Sequence, residues 1–586
     1  MLMGKYTDER NSRILIALLK AHGIRKVVAN PGVRNISFTG SVQNDPWFEV
    51  YSGVDERHSA YLAVGMAAES GEPVVLSCTQ ATASRNYLPA MTEAFYRKVP
   101  VLAVTSMVDV TRNRQLLPQT IDQTVSPPDV YRYSVCCGEV RTDAEAAACG
   151  RLVNEAILAL GRHGGGPVNI NLVTSFATGF SFDELPDVKK ISRWTPDSLD
   201  DAPEIPAAAK VAIFMGARRM PRDLSAAARA TEAIESFVRS RSAVVFCDMT
   251  SEYGGAGRVD ADLLFAQKNL LSMPSYKALR PDLIIHAGET SGSRTGSALL
   301  AKAPVWRVSE DGEIRDLRGK LEHVFEMGLE DFCRHYAGAS VGENAYAAQW
   351  QDADREIRAQ VPELPFSNCW IAQRMRDTLP AGARLHLGIY NSLRSWDCFP
   401  PPPSVRSSAN VGGFGIDGCL STAIGASLAS PSHLVFCVLG DLSFFYDMNA
   451  LGNRHVGTNV RILLVNNGTG AEFNLYRNPG AAFGERVNDF IAAGGHFGNR
   501  SERLVRHYAE DLGFKYLAAS DKASFDAALP EFVGSGDGRP MLFECFTKAK
   551  SESDAMYALE HLVRAQEGAV DARQSGLKKL IGRIIR

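Results

Sequence analysis

Short apolar runs alternate with longer amphipathic stretches along most of this chain of 586 residues. In the first block, the stretch after Thr7 repeats apolar positions at helical spacing and ends near Gly23, which predicts a helix capped by Thr7. Runs typical of strands follow at Lys26–Ala29, Val74–Ser77, Val101–Thr105 and Val168–Leu172. Strands separated by helices predict a parallel sheet covered by helices.

The same alternation returns twice further along the chain. The second block has strand-like runs at Val211–Met215, Ala243–Cys247, Asp282–Ala287 and Val305–Val308. The third has them at Leu385–Leu387, Leu434–Leu439, Arg461–Val465 and Met541–Cys545. We therefore predict an α/β protein with three doubly wound parallel-sheet domains.

Polar and proline-containing stretches set the predicted domain boundaries. The blocks are 1–185, 207–336 and 366–550, joined by a linker over 186–206 and a helical connector over 337–365. A basic tail over 551–586 places Leu577, Leu580, Ile581 and Ile584 on one helical face. We expect this tail to dock on a neighbouring subunit, with contact to an anionic membrane or an acidic partner as the weaker alternative.

Composition excludes several classes of protein. Hydrophobic residues make up 45% and charged residues 22%, as in a soluble globular protein. The 63 basic and 66 acidic side chains nearly balance, so the chain has no bulk electrostatic reason to bind nucleic acid. The chain has no C-x-x-C pair, no apolar run long enough for a membrane span and no apolar core of a signal peptide. A reducing cytoplasm is the expected location.

The sharpest chemical pattern lies in the third block. The predicted strand Leu434–Leu439 runs into Gly440-Asp441, and Asn467 follows the next strand. The carboxyl ends of adjacent parallel strands share one edge of a sheet, so these oxygen ligands would lie together. Magnesium prefers oxygen ligands and often shares them with phosphates. The alternative is a strand-end aspartate beside an unrelated Asn-Gly turn.

A second pattern, Asp55-Glu56-Arg57-His58, precedes a predicted helix in the first block. Taken alone it indicates a helix start, where carboxylates suit the helix dipole. A histidine here is able to transfer protons, but a structural role for His58 is the simpler interpretation.

Taken together, these residues resemble the thiamine-diphosphate (ThDP) enzymes, with pyrimidine-binding, central and diphosphate-binding domains in that order. Within that family the chain is most similar to the menaquinone-pathway carboligases. The matching stretches are Pro31-Gly32-Val33-Arg34, Asp55-Glu56-Arg57, Asn86-Tyr87-Leu88-Pro89-Ala90, Gly415-Ile416-Asp417-Gly418 with Ser421-Thr422, and Gly440-Asp441-Leu442-Ser443 with Tyr446-Asp447 and Asn449-Ala450-Leu451.

The resemblance implies a role for each matching residue. Glu56 would hydrogen-bond the aminopyrimidine ring of the cofactor. Asp441, Asn467 and the backbone oxygen of Thr469 would hold Mg²⁺ against the diphosphate. Gln119 would be an active-site glutamine and Arg34 a substrate-side arginine. Further cofactor contacts are implied for Thr82, Gly415, Ile416, Gly440, Leu442 and Ser443, with Ile416 as the apolar wedge that bends the cofactor.

Several arginines expected from this resemblance are missing. Ser106-Met107-Val108, Val411 and Trp396 occupy positions where the menaquinone enzymes would place arginines for substrate carboxylates. Arg85, Arg112, Arg114 and Arg394 are the nearby candidates to compensate. Gln80-Ala81 also replaces the usual Ser-Gly of the cofactor loop. Trp396 and Phe414 suggest a more apolar or sugar-like pocket, or else ordinary core packing.

The predicted function is a ThDP- and magnesium-dependent carboligase that decarboxylates a 2-oxo acid and transfers the fragment to an aldehyde, ketone or sugar-like acceptor. Three alternatives stay open: a simple 2-oxo acid decarboxylase, the menaquinone-pathway reaction with 2-oxoglutarate and isochorismate, and a non-catalytic scaffold. The resemblance also implies a homodimer or homotetramer with active sites between subunits.

Overall fold

The computed structural model describes residues 4–175, 179–218, 224–267, 270–292, 302–338, 344–496 and 501–563. By their internal contacts the residues fall into two units. The first contains Met1–Asp200 and Glu310–Glu326, and the second contains Asp201–Ser309 and Met327–Arg586. The predicted tail helix around Leu577 lies outside the described residues.

The first unit contains a parallel sheet of six strands in the order β2-β1-β3-β4-β6-β5. These strands are β1 Lys26–Ala29, β2 Glu49–Ser52, β3 Val74–Cys78, β4 Val101–Met107, β5 Tyr133–Cys137 and β6 Val168–Val173. Its helices are Arg10–Ala21, Ile36–Asn44, Glu56–Ser70, Thr82–Asn86, Leu88–Arg97 and Asp143–Ala159.

Apolar side chains from the first sheet alternate between two buried clusters because successive strand residues point to opposite faces. Val27 and Val75 pack in one cluster with Leu15 of the first helix. Val28 and Val74 pack in the other with residues of helix Glu56–Ser70 and helix Leu88–Arg97. Helices therefore cover both faces, which explains why the central strands are near-continuous apolar runs.

The strands of the central block are divided between the two units. In the second unit the parallel order is β10-β9-β8-β11-β12. These strands are β8 Val211–Met215, β9 Val244–Cys247, β10 Arg258–Asp260, β11 Leu283–Ala287 and β12 Val305–Ser309. In the first unit β7 (Ser192–Trp194) pairs in parallel with β13 (Leu321–Glu326). The predicted linker thus contains a strand, which Arg193 supports by an ion pair with Glu326 at 2.5 Å.

The third sheet lies in the second unit and has the order β15-β14-β16-β17-β19-β18, again entirely parallel. Its strands are β14 Arg384–Leu387, β15 Arg406–Ala409, β16 Val435–Gly440, β17 Val460–Asn466, β18 Lys515–Ala519 and β19 Met541–Phe546. Counted from its own first strand, this sheet has the same strand order as the first sheet.

The second unit's helices flank these two sheets. The central block and connector contribute Leu224–Ser240, Ala261–Ala266, Pro274–Lys277, Leu329–Tyr336 and Ala345–Arg358. The third block contributes Asn368–Met375, Asn391–Asp397, Cys419–Ala429, Asp441–Asp447, Ala471–Asn474, Leu504–Asp511, Lys522–Val533 and Ala549–Leu559. The predicted α/β class with three parallel sheets is confirmed. Among the helices described, none is both long and apolar enough to cross a bilayer.

Candidate active site

A cavity of about 490 Å³ opens at the carboxyl edge of the third sheet. Strands β16 and β17 end side by side there, with Gly440 in register with Val465. The residues that follow these two strands, including Asp441 and Asn467, line the cavity. The sheet therefore places the Gly-Asp motif and Asn467 at the same edge, as predicted.

Asp441 is fixed by backbone amides on both of its oxygens. Its Oδ1 accepts a hydrogen bond from the amide of Leu442 at 2.8 Å, and its Oδ2 accepts one from Gly468 at 2.8 Å. The side chain is only 2% exposed. Burial raises the pKa of Asp441 to about 7, although these amide hydrogen bonds act in the opposite direction. A bound cation would compensate this buried charge.

The surroundings of Asp441 fit a diphosphate held by a cation. A Cβ placed on Gly440 would meet no protein atom within 4 Å, so the backbone there faces open space at the cavity wall. Asn467 supplies an amide oxygen, and the Thr469 hydroxyl donates to Asn488 and Ala492, which fixes that turn. One carboxylate with neutral oxygens leaves room for phosphate oxygens to complete a magnesium shell.

Three further hydrogen bonds join the motif helix to the segments beside it. The Ser443 hydroxyl donates to the backbone oxygen of Ile416 at 2.7 Å, which ties the motif helix to the loop holding Gly415 and Ile416. Asp447, one turn later, accepts from the amide and hydroxyl of Ser421, each at 2.6 Å. The Asp-Leu-Ser…Tyr-Asp pattern therefore ties helix Asp441–Asp447 to the loop of Gly415 and Ile416 and to the start of helix Cys419–Ala429. Leu442 also lines the cavity.

An aromatic pair that sequence reasoning missed in part forms another wall. The rings of Tyr390 and Phe414 meet edge to face at 5.3 Å between centroids. Both residues hold a positive φ, 63° and 55°, which is strained for such side chains. The Arg394 guanidinium lies over the Tyr390 ring and pairs with Glu472 at 2.5 Å. Arg394 therefore already has a carboxylate partner and is not a spare cation for a substrate.

Trp396 does not belong to this wall. It is fully buried in helix Asn391–Asp397 and is absent from the described lining of the cavity. The predicted substrate role of Trp396 therefore gives way to core packing, because its face of the helix is turned inward. Phe414, by contrast, lines the cavity, and its role toward a substrate stays a prediction.

A buried carboxylate, Glu552, holds two residues of the cavity lining in place. It accepts hydrogen bonds from the Asn368 amide and the Asn391 side chain, each at 3.1 Å, and from the Thr547 hydroxyl at 2.7 Å. Burial raises its pKa, while these hydrogen bonds act in the opposite direction. Asn368 and Asn391 both line the cavity. Tyr390 and Asn391 follow the predicted strand Leu385–Leu387. The position just after a predicted strand was therefore the sequence signal that could have identified these two residues as part of the site.

The site residues predicted in the first block lie in the other unit. Glu56 begins helix Glu56–Ser70 and is half-buried, and Asp55 caps that helix by accepting from the amides of Arg57 and His58. Thr82 and Gln119 are exposed, and Gln119 has a φ of 56°. The backbone amide of His58 donates to Asp55, so this bond places His58 in the helix cap.

Two of the candidate arginines in the first block, Arg34 and Arg85, donate to backbone carbonyls. Arg34 donates to the Thr174 carbonyl at 3.1 Å, just beyond β6, and burial and the neighbouring Arg112 lower its pKa. Arg85 donates to the carbonyls of Asp122 and Val125, which fixes their loop. Arg114 has a φ of 62° in an exposed turn. The substrate-side role expected for Arg34 stays a prediction.

Two family models match the chain. Residues 10–126 match the N-terminal TPP binding domain of thiamine pyrophosphate enzymes, and residues 392–545 match the C-terminal TPP binding domain. The second match contains Asp441, Asn467 and most of the cavity, and the first contains Glu56. The fold and site are those of an enzyme that uses thiamine diphosphate.

Curated relatives match over nearly the whole chain. The 2-succinyl-5-enolpyruvyl-6-hydroxy-3-cyclohexene-1-carboxylate synthase of Bacteroides fragilis is 32% identical over 95% of this chain and 100% of its own length. The proteins of the same name from Phocaeicola vulgatus and Bacteroides thetaiotaomicron are 32% and 30% identical, again over 95% of this chain. The chain belongs to the family of thiamine-diphosphate enzymes that includes these synthases.

Proposed function

We propose that this thiamine-diphosphate enzyme is a magnesium-dependent carboligase that decarboxylates a 2-oxo acid and joins the remaining fragment to an acceptor. The observation that carries the proposal is the buried Asp441, which two backbone amides hold at the carboxyl end of β16, in the same cavity as Asn467. A carboxylate in that position without a cation would be costly to bury. A magnesium diphosphate offsets that cost and explains the geometry.

Bound thiamine diphosphate supplies an electron sink for the carbanion left by decarboxylation. Asp441, Asn467 and the Thr469 carbonyl would hold the magnesium that neutralises the diphosphate. Ile416 would support the cofactor from the cavity wall, and Glu56 would hold the proton shared with the aminopyrimidine ring. Arg34 and Gln119 would act on the substrate side.

The reaction named by the relatives is the first candidate for the substrates. Their product, 2-succinyl-5-enolpyruvyl-6-hydroxy-3-cyclohexene-1-carboxylate, would require 2-oxoglutarate as donor and isochorismate as acceptor. Similarity over 95% of the chain favours this pairing above a sugar-like acceptor. Arg34 and Arg112 would then bind carboxylates that other members bind with further arginines.

A less anionic acceptor is the second candidate, and the cavity lining favours it. Of the lining residues described, the charged ones are Asp441 and Glu472, while Tyr390, Phe414 and Phe473 supply aromatic surface. Glu472 is engaged by Arg394. An acceptor with an apolar or hydroxylated ring would suit this wall better than a dicarboxylate would.

One assay separates these candidates. Purified enzyme with thiamine diphosphate and Mg²⁺ is given 2-oxoglutarate or pyruvate, with and without isochorismate or a simple aldehyde, and carbon dioxide and products are measured. Rapid product formation from 2-oxoglutarate plus isochorismate establishes the relatives' reaction. A product formed only with pyruvate and an aldehyde establishes the second candidate. Aldehyde release without ligation indicates a simple decarboxylase, and no release from any 2-oxo acid contradicts the proposal.

We also propose that the complete active site forms between subunits of a homo-oligomer. Near Glu56, Val54 is 85% exposed, and in the Gln119 loop Leu116 is 98% exposed. Near Asp441, Tyr446 is 61% exposed. Contact with a second copy would remove this exposed apolar surface from water.

A further inference from the structure

A second cavity, of about 180 Å³, lies within the second unit and away from the residues discussed so far. One wall comes from segments that follow the carboxyl ends of β8 and β9, including Arg218 and Glu252. The opposite wall comes from Pro400 to Ser407 and includes Arg406 at the start of β15. Open parallel sheets bind ligands at their carboxyl edges, so the location itself is typical of a binding site.

Arg406 brings uncompensated positive charge to this cavity. It lies in direct register with Arg384 on the neighbouring strand β14. Among the described residues, neither arginine makes an ion pair within 4 Å. Burial, and then the charge of Arg406, lower the pKa of Arg384. Like charges at paired positions of adjacent strands are destabilising unless an anion lies between or beside them.

Glu252 is the acidic residue in the described lining of this cavity, and it makes no ion pair within 4 Å with these arginines. Among the residues that the structure describes, its Oε2 is buried without a hydrogen-bond partner, and Glu252 has a strained φ of 47°. Burial raises the pKa of Glu252 to about 7, while Arg406, Arg218 and Arg384 act in the opposite direction. The carboxyl and the arginines therefore interact across the cavity and not through an ion pair.

The other two arginines of the lining are already paired. Arg218 donates to Glu330 at 2.8 Å, and Arg258 donates to Asp260 at 2.8 Å. The excess positive charge of the cavity consequently belongs to Arg406 and its neighbour Arg384. The unpartnered oxygen of Glu252 offers an acceptor opposite them.

We propose that this cavity binds a small anion, a carboxylate or a phosphate, through Arg406, with Glu252 accepting a hydrogen bond from a hydroxyl or amino group of the same ligand. Arg384, in register with Arg406 on the neighbouring strand, adds positive potential. A ligand with an anionic group at one end and a donor at the other matches the separation of charges. The site is independent of the reaction at Asp441.

The test uses the full chain saturated with thiamine diphosphate and Mg²⁺, so that the diphosphate site is filled. Sulfate and malonate are titrated by calorimetry as probes of the shared anion chemistry. The expected result is one saturable site per chain. Arg406→Gln should weaken it at least about tenfold, because a charged hydrogen bond is lost. Arg374→Gln, which removes an arginine already paired with Asp526, should leave it unchanged.

Glu252→Gln should change the sulfate affinity in the opposite direction from Arg406→Gln. Removing the carboxylate charge while keeping an acceptor should strengthen sulfate binding several-fold above pH 7, since like charge no longer opposes the anion. This variant keeps the test decisive if Arg406→Gln proves unstable. Sulfate affinity that is the same in wild type and Arg406→Gln, or weaker in Glu252→Gln, overturns the proposal.

Discussion

Asp441 and Glu56 differ in how much of their surroundings one chain supplies. Asp441 is 2% exposed, and two backbone amides hold its oxygens. Glu56 is half-buried at the start of its helix, and within the described ranges it has no comparable set of partners. One chain therefore supplies the surroundings of Asp441 more fully than those of Glu56, as the proposed site between subunits would require.

Asp441→Ala should lose metal-dependent cofactor binding. Without a hard anionic oxygen, the magnesium cannot be held against the diphosphate, so we expect thiamine-diphosphate affinity to fall at least about 100-fold. Calorimetry with and without Mg²⁺ measures this. Asp511→Ala, an exposed carboxylate at the end of helix Leu504–Asp511, is the matched control. Equal affinity in both variants would remove Asp441 from the metal site.

Glu56→Gln should separate binding from turnover. The amide keeps the shape of the side chain but cannot share a proton, so the cofactor should still bind while kcat falls by about 10² to 10⁴-fold. Steady-state kinetics beside a binding titration measures both. A variant within about twofold of wild-type turnover would leave Glu56 as a helix-start charge only.

Phe414→Ala should act on the acceptor and spare the donor. Loss of the edge-to-face contact with Tyr390 removes about 0.5–1.5 kcal/mol of wall packing, so we expect a KM for the acceptor raised about 3- to 10-fold. Carbon dioxide release without acceptor should stay close to wild type. Phe483→Ala, an exposed phenylalanine outside the described lining, is the control. An equal change in both variants would contradict a role for Phe414 at the acceptor.

At the scale of elements, the sequence pattern found central strands and missed edge strands. β1 and β8 were predicted with their observed bounds because apolar, buried residues fill all of their positions except Lys26 at the start of β1. β2 (Glu49–Ser52) is exposed at all four positions, and β15 (Arg406–Ala409) is largely polar. Such edge strands depend on pairing with a neighbour, which local sequence does not encode.

The same limit applies to the site. Asp441 and Asn467 were predicted because they end two apolar strands, and the sheet brings them together. Tyr390 and Glu552 were missed because neither stands in a motif. Glu552 reaches the wall from a helix that begins more than 150 residues after Asn391, so only tertiary structure joins them.

The β14–β15 pair predicts an acid-sensitive step in stability. His386 on β14 is buried, its Nδ1 lies 3.0 Å from the Ser408 hydroxyl, and burial lowers its pKa to about 4. The unfolded state, with an ordinary histidine pKa near 6.5, binds more protons than the folded state between pH 6.5 and 4. The free energy of unfolding therefore decreases as the pH is lowered through that window. The loss between pH 7 and pH 5 should be about 2 kcal/mol.

Urea unfolding at pH 7 and pH 5 measures this loss. His386→Gln keeps a polar side chain but cannot take up the proton, so its free energy of unfolding should change less between the two pH values. The same pH dependence in the variant and in wild type would assign the effect to other groups.

At the scale of the whole molecule, the proposed shared site has a distinctive consequence. Each site would combine Glu56 from one subunit with Asp441 from another, so a mixed dimer of Glu56→Gln and Asp441→Ala has one doubly altered site and one intact site. Random exchange makes half of the dimers mixed, and activity should return to about a quarter of wild type. Either variant alone stays inactive.

Subunit exchange followed by assay tests this complementation, and sedimentation measures the assembly. A mixture that remains as inactive as its components would place both residues in one chain's site. An active, cofactor-loaded monomer would exclude the shared site altogether.

The matching strand order of the first and third sheets has a consequence for origin. Two six-stranded sheets that follow one topology, with motifs now unlike each other, are what gene duplication and later divergence produce. In the proposed site, Glu56 comes from one of the two sheets' blocks and Asp441 from the other. An ancestor with a single copy would have needed to pair with itself to present two such edges. In this view, self-association preceded the fusion of the copies and is older than the present division of labour.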